Sequence, residues 1–569
     1  MKAALLLCFL ATSWVQSMPA DYIGVPDGPA PTQDFPYHRQ LDANGDYHTY
    51  WLPNKTHVVF EVHARTLGYV GFGLSSNGKM FPADIVIGWV KDGKTYFHDR
   101  HSTGHSLPEV DASQDWTLLR GEEYSYGTML KMVRKLDTCD EEDFQITDDT
   151  IRLLYAFHPD DPEDENTIPF HGTKSVGVRS TILLSRIVPP QLPGDVQTRD
   201  WLNDNYLVPN KETTYRCKIF DLHDIGKKHH MVKFEPVIQK GHEGIVHHML
   251  VYKCSGIDRK FIGTDYECYL QPNTQLYPCG NVFMGWEYGG GDFYFPETVG
   301  MPIGEADDDG LYILETHYNN PEMVPDYVDN SGMRITFTQN LRAHESGLLM
   351  TGVTVDPTHI IPPREQNFMT TGFCHRDCLN TGLSEYPEGV NVFAVWQHAH
   401  LIAKSVKTRH FREGVELEPL AHEEHFDFNY QDYRYMTKHT TLKMGDELVV
   451  ECVYETMAKS KVTIGGPATG DEMCLSFIYY WPRMSVDYCR SIPLYNGNNT
   501  SGEYVKELTR DYNYNDDDNR RKFHASLVDS TYNATCHGER RTPQIFYAEK
   551  TIPVTNQTYT RPRPQCPNL

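Results

Sequence analysis

Hydrophobic residues in this chain fall in short runs that either alternate with polar neighbours or are rich in β-branched and aromatic side chains. The 3.6-residue spacing of an amphipathic helix is nearly absent. The runs Val58–Val62, Ile85–Val90, Thr181–Leu184, Leu311–Thr316, Leu448–Tyr454 and Cys474–Tyr480 predict strands, and clusters of Gly, Pro, Asn and Asp between them predict turns. This pattern is that of antiparallel β-sandwiches, an all-β fold. A chain of 569 residues is too long for one core, and the length prior gives three or four domains. The stiff segment 188–194 (Val-Pro-Pro-Gln-Leu-Pro-Gly) is the best boundary, and Ile360-Ile361-Pro362-Pro363 marks a second seam. The acidic-to-basic stretch 516–521 predicts a solvated loop before a C-terminal arm, and no solenoid repeat is visible.

Residues 1–18 read as a secretory signal: Lys2, the apolar run Ala3–Leu10, then small residues to near Ser17. The run is shorter than the ~20 residues that span a bilayer, and no later stretch approaches that length. A soluble chain, secreted or held in the secretory lumen, is therefore expected. Of 13 cysteines, Cys8 lies in the signal, leaving an even set suited to disulfides in an oxidising compartment. Those twelve allow roughly ten thousand pairings, so spacing alone does not fix the connectivity. Asn54, Asn498, Asn499, Asn533 and Asn556 lie in glycosylation sequons. The formal net charge of −25 argues against nucleic acid or an anionic membrane as partner.

The candidate chemistry is a scattered set of histidines and one methionine. His398-Ala399-His400 follows the apolar run Val390–Trp396, and residues i and i+2 of a strand share a face, so both imidazoles can reach one metal. Adjacent histidines point apart on a flat strand and can share a metal only if the backbone bends or the rings use different nitrogens. The chain has two such pairs, His229-His230 and His247-His248, each followed by Met, and the residues themselves do not choose between them. His317 ends a strand-like run at a turn, and Met473 opens another beside Cys474. Zinc rarely takes a thioether, whereas copper cycling between two oxidation states suits mixed imidazole and thioether donors.

Taken together, Tyr215-Arg216-Cys217, Lys228-His229-His230, His247-His248-Met249, Glu315–Pro321, His398–Leu401 and Glu472-Met473-Cys474 resemble the copper type II, ascorbate-dependent monooxygenases in order and interval. Residues 40–160 resemble the DOMON domain of the dopamine β-hydroxylase-like branch (the monooxygenase X group). The resemblance implies a DOMON β-sandwich (35–158), a linker (188–200), two antiparallel, jelly-roll-like copper domains (201–360 and 361–540) and an arm (541–569). The copper domains would face each other across a solvent-filled cleft. It also implies two copper ions, ascorbate as reductant, O2 and a small-molecule substrate. His247, His248 and His317 would hold the electron-transfer copper, and His398, His400 and Met473 the copper that meets oxygen and substrate. Tyr215 and His398 match positions treated as catalytic.

The implied disulfides are Cys139–Cys566, Cys217–Cys268, Cys254–Cys279, Cys374–Cys489, Cys378–Cys536 and Cys452–Cys474, which leave no cysteine for an interchain bridge. The chain departs from the peptide-amidating branch, whose Arg, Asn and Tyr are here Trp396, Leu475 and Phe477. An apolar substrate wall, and an apolar or aromatic substrate such as a phenethylamine, is expected. Met80 and His171 lie where some DOMON domains ligate haem, but a surface Met and a loop His is the stronger reading. A copper-binding protein without turnover is the alternative function; a zinc hydrolase is disfavoured by Met473 and the want of a well-placed catalytic carboxylate.

Overall fold

A computed structural model describes residues 28–184, 187–254, 256–269, 279, 281–306, 308–495, 506–528, 530–538, 543–562 and 566. The signal segment, Asn498 and Asn499 lie outside the described residues. The chain forms two compact bodies.

The smaller body is a β-sandwich. One sheet orders its strands Tyr37–Gln40, Tyr47–Pro53, His57–Ala64, Gly127–Lys135 and Thr117–Tyr124. The other runs Val176–Ile182, Thr150–Phe157, Val70–Ser75, Ala83–Lys91, Lys94–His101 and Glu109–Val110. Trp51, Phe60, Phe72, Trp89 and Met132 are buried in this body. The hairpin between Ala83–Lys91 and Lys94–His101 turns on Asp92 and Gly93, both at positive φ, as a tight two-residue turn requires. The second sheet also takes in Val176–Ile182, beyond residue 158.

The larger body holds two further sandwiches. In the first, Gln197–Leu202, Gly332–Thr338, His229–Val237, Val299–Ile303 and His344–Glu345 form one sheet. Facing it are Asp265–Glu267, Thr213–Asp221, Leu311–Asn319, Val246–Cys254 and Asn281–Glu287. In the second, a seven-stranded sheet orders Arg434–Leu442, Val390–Ala399, Cys474–Trp481, Gly347–Val353, Tyr488–Leu494, Thr531–His537 and Gln544–Ala548. Its partner sheet contains Phe368–Cys374, Glu447–Tyr454, Ala403–Arg412 and Val415–Glu416.

Three expectations change here. The seam between these sandwiches is not at Pro362-Pro363: Gly347–Val353 already pairs with Cys474–Trp481, so the second sandwich has begun by residue 347. The proline pair instead follows Ile360-Ile361, a short strand bonded to Thr463-Ile464. The stretch 516–521 does not stay a loop but opens a helix, Asp517–Val528. Asp517 and Asp518 sit at its positive end and pair with Arg520, Arg521 and Lys522 one turn on. The arm, finally, adds Gln544–Ala548 to the edge of the seven-stranded sheet.

All six expected disulfides are formed among the described residues. Asn54 and Asn556 are exposed, whereas Asn533 sits half-buried in a strand bonded on both sides. Among the described residues no helix is long and apolar enough to cross a membrane.

The two sandwiches of the larger body share one apolar core. Met284, Trp286, Phe293 and Phe295 of the first pack with Phe393, Trp396, Phe477 and Tyr479 of the second. Tyr433 Oη donates across the junction to the Gly285 carbonyl at 2.6 Å. Gly285 is small for a reason: a Cβ there would meet the Trp396 ring at 2.7 Å and Leu250 at 2.8 Å.

Candidate metal centre

The first ligand set is assembled across neighbouring strands. Tyr215 lies opposite His317, His317 opposite His248, and His248 opposite Glu287, so four side chains form a row on one face of one sheet. His247 joins them through a bulge. The ladder to Leu311–Asn319 jumps from Val246 to His248, so His247 is the extra residue and its ring falls on the same side as its neighbour's. This is the bend that an adjacent pair needs.

His229-His230, by contrast, lies on a strand of the opposite sheet. There His229 Nδ1 pairs with the Lys227 carbonyl at 2.8 Å, and His230 Nδ1 accepts from the Arg342 N–H at 2.9 Å. That pair is not part of the site.

The ring nitrogens of His247, His248 and His317 come within 4.8 Å of one another, and all three side chains are buried. The Nδ1 atoms of His248 and His317 converge at 3.3 Å. Their opposite edges are held, His317 Nε2 by Thr469 Oγ1 at 3.0 Å and His248 Nε2 by Glu315 Oε1 at 3.7 Å. Tyr269 Oη in turn donates to Glu315 at 2.6 Å. Neither nitrogen of His247 has a hydrogen-bond partner, although both are buried. Burial, with the neighbouring imidazoles, lowers His247 to about 4 and holds His317 well below the usual histidine range. Burial opposes charge on His248 too, but the carboxylates of Glu287 and Glu315 raise it.

The second set comes from the other sandwich. Trp396, His398 and His400 alternate onto one face at the end of Val390–Ala399. On the partner strand Phe477 lies opposite Trp396 and Leu475 opposite His398, with Met473 one residue before that strand begins. His398 Nδ1 is held by Gln431 Oε1 at 3.0 Å and His400 Nδ1 by the Asp471 carbonyl at 3.1 Å, which leaves the Nε2 edges for a metal. Burial keeps His400 well below the usual histidine range.

The fully buried Glu472 fixes the backbone here. Its carboxylate accepts the N–H of His400, of Met473 at 2.8 Å and of Ile402 at 3.3 Å. Burial pushes it up to about 8 against those three donors. The Cys452–Cys474 disulfide clamps the strand immediately after Met473.

The two sets do not face each other across an open cleft, as the resemblance implied. The rings of His248 and His398 lie 5.9 Å apart, and that of His247 stacks on Phe428 at 4.2 Å. Thr469 of the second sandwich bonds His317 of the first, and Tyr215 Oη donates to the Pro467 carbonyl at 2.7 Å. Trp396, Leu475 and Phe477 likewise do not line open space: each is at most 3% exposed and packs in the shared core. The reason is their position. They stand on the ligand-bearing face beside the first sandwich, and two apolar faces that meet there exclude water.

Tyr215 stacks on His317 at 4.3 Å and is buried. In the smaller body Met80 and His171 are both half-buried, and His171 Nδ1 lies 2.6 Å from the Gly172 carbonyl. Sequence reasoning passed over Gln431, Thr469, Phe428 and Glu287, and gave Glu472 no role of its own. Only Glu472, adjacent to Met473, carried a local signal.

The donor set fits copper. The nitrogens of His247, His248 and His317 converge, and His317, His398 and His400 have one ring edge already hydrogen-bonded. His247 is buried with both nitrogens unpartnered, and Met473 lies just before the strand that pairs with the His398 strand.

Known proteins agree with that chemistry. The family model for the copper type II ascorbate-dependent monooxygenase N-terminal domain matches residues 199–325, that for the C-terminal domain matches 344–499, and that for the DOMON domain matches 43–158. DBH-like monooxygenase protein 1 of Homo sapiens is 38% identical over 463 residues, 81% of this chain and 75% of the relative. DBH-like monooxygenase protein 2 of Mus musculus is 34% identical over 469 residues, 81% and 74% of the two chains. Dopamine beta-hydroxylase of Canis lupus familiaris is 33% identical over 474 residues, 82% and 75%. The chain therefore belongs to the copper type II ascorbate-dependent monooxygenases, oxidoreductases whose cofactor is copper and whose reductant is ascorbate, in the group that carries a DOMON domain.

Proposed function

We propose that this protein hydroxylates an activated C–H bond of a small apolar or aromatic substrate, phenethylamine-like, using O2 and two electrons from ascorbate. The observation that carries the reading is the cluster of His247, His248 and His317 on one sandwich beside the His398 and His400 rings of the other, with Met473 just before the strand that pairs with the His398 strand. Bound copper would supply one-electron redox chemistry at each set.

The rest is the work of the chain. Burial holds His247, His317 and His400 neutral, so each offers a lone pair without first losing a proton. Glu315, Thr469, Gln431 and the Asp471 carbonyl hold the far edges of four imidazoles and so fix which nitrogen faces the metal. Phe428 and the shared core exclude water from between the sets. Trp396, Leu475 and Phe477 stand where the peptide-amidating branch has Arg, Asn and Tyr, so no cation is present at those positions to hold a peptide carboxylate. Disulfides and the N-terminal sequence support an oxidising, secretory compartment.

The test is a copper-loaded, ascorbate-driven screen reading O2 consumption and hydroxylated product over phenethylamines and glycine-extended peptides. Turnover of a phenethylamine, with peptides idle, is expected. Sub-millimolar turnover of the peptides would overturn the substrate class, and copper binding without ascorbate-dependent O2 uptake would favour a binding protein.

Tyr215 belongs to the same proposal as a strut that holds His317. Tyr215→Phe keeps the stack and loses the bond to Pro467, which is worth about 1 kcal/mol. Copper content should be unchanged and kcat/KM should fall less than about tenfold. A loss beyond about a hundredfold would return the hydroxyl to a catalytic role.

A further inference from the structure

Glu287 stands at the end of the row that holds Tyr215, His317 and His248, and its side chain is 2% exposed. Its neighbours within ion-pair distance, among the described residues, are three imidazoles: His398 Nδ1 at 2.9 Å from Oε1, His248 Nδ1 at 3.6 Å and His247 Nδ1 at 3.8 Å from Oε2. Neither oxygen accepts an aligned hydrogen bond, since His398 directs its Nδ1 edge to Gln431. A carboxylate in a dry interior needs a cation or several donors to offset the loss of water. Here Oε2 points to the same nitrogen edges that converge in the three-imidazole set, and it stands from them at distances ordinary for two ligands of one metal.

We propose that Glu287 is a fourth ligand of the copper held by His247, His248 and His317, bound through Oε2. This rests on the reading that those three residues hold copper. Oε1 meanwhile touches the back edge of His398, whose metal-facing edge is Nε2, so the second copper is not its target. A hard, anionic oxygen among imidazoles favours Cu(II) over Cu(I). The electron-donating site would thereby be a stronger reductant toward the other.

The test uses the full-length protein in a His400→Ala, Met473→Ile background, which leaves His398 against Glu287 but removes two ligands of the second copper. Copper is supplied as Cu(II) sulfate and separately as Cu(I) against a chromophoric chelator. Adding Glu287→Gln, which keeps the shape and removes the charge, should weaken Cu(II) binding at least tenfold with Cu(I) binding changed less than threefold. A tenfold loss for Cu(II) with Cu(I) binding unchanged corresponds to a rise in reduction potential of about 59 mV for a one-electron couple. The Cu(II) EPR spectrum should shift with it. Glu287→Asp, which retains an oxygen ligand on a shorter stem, should recover part of the Cu(II) affinity and controls for a folding defect. Equal Cu(II) affinity and an unchanged EPR spectrum in Glu287→Gln would overturn the proposal, as would a background protein that binds no copper. Failure of the substrate screen alone would leave these binding measurements standing, so the two readings fail separately.

Discussion

Met473→Ile is expected to abolish hydroxylation while the protein keeps one of its two coppers. Isoleucine holds similar bulk at the entrance to Cys474–Trp481 but removes the thioether, the soft donor that suits Cu(I). Even substitutions outside the ligand shell cost about 10- to 100-fold in affinity or activity at metal sites, so losing a ligand should cost at least about a hundredfold. Copper analysis after dialysis should give close to one ion per chain, retained by His247, His248 and His317, whose sandwich is untouched. Two retained coppers with full turnover would show that Met473 is core filler.

Glu472→Ala should be as damaging by a different route. The carboxylate is the shared acceptor for the backbone N–H groups of His400, Ile402 and Met473. Alanine strands these donors in the interior, at roughly 1–3 kcal/mol for each that finds no water. It also releases the backbone that presents two of the three ligands to each other. We expect a lowered unfolding midpoint and loss of the second copper, with the first retained. Glu472→Gln keeps one acceptor oxygen but turns an amide N–H₂ toward backbone donors, so it should fall between the wild type and Glu472→Ala. Equal stability and copper content in Glu472→Ala, read by denaturant unfolding and metal analysis, would remove Glu472 from the site's support.

Much of this architecture was legible in the chain because strands write themselves in alternation. Ile85–Val90 falls inside Ala83–Lys91, and Leu448–Tyr454 inside Glu447–Tyr454. The misreadings have physical causes. Pro362-Pro363 looked like a boundary because proline breaks ladders, yet a loop inside a sandwich needs broken ladders as well. The stretch 516–521 looked like solvated loop because its charges are dense, whereas their signs run in the order that a helix start rewards.

Within the site, the H-x-H pair was readable from strand periodicity. The rival His-His pairs were not, since nothing local announces a bulge. Glu287 and Gln431 reach the ligands from separate strands or loops, and only the pairing of distant segments brings them there. The closed junction was invisible for a related reason: Trp396 reads as a pocket wall until the opposing sandwich, with Gly285 cut back to admit its ring, is in place.

The extra residue at His247 bears on how such a site can arise and be lost. Neighbouring residues of a regular strand face opposite ways, so a histidine directly adjacent to His248 in sequence shares this face only where the strand carries an extra residue. An inserted residue is needed, and it must lie between the ladder positions of Val246 and His248. A single-residue deletion there would restore a regular strand and turn one ring away at a stroke. The three-imidazole arrangement is thus sensitive to the length of this strand as well as to the identity of its three members.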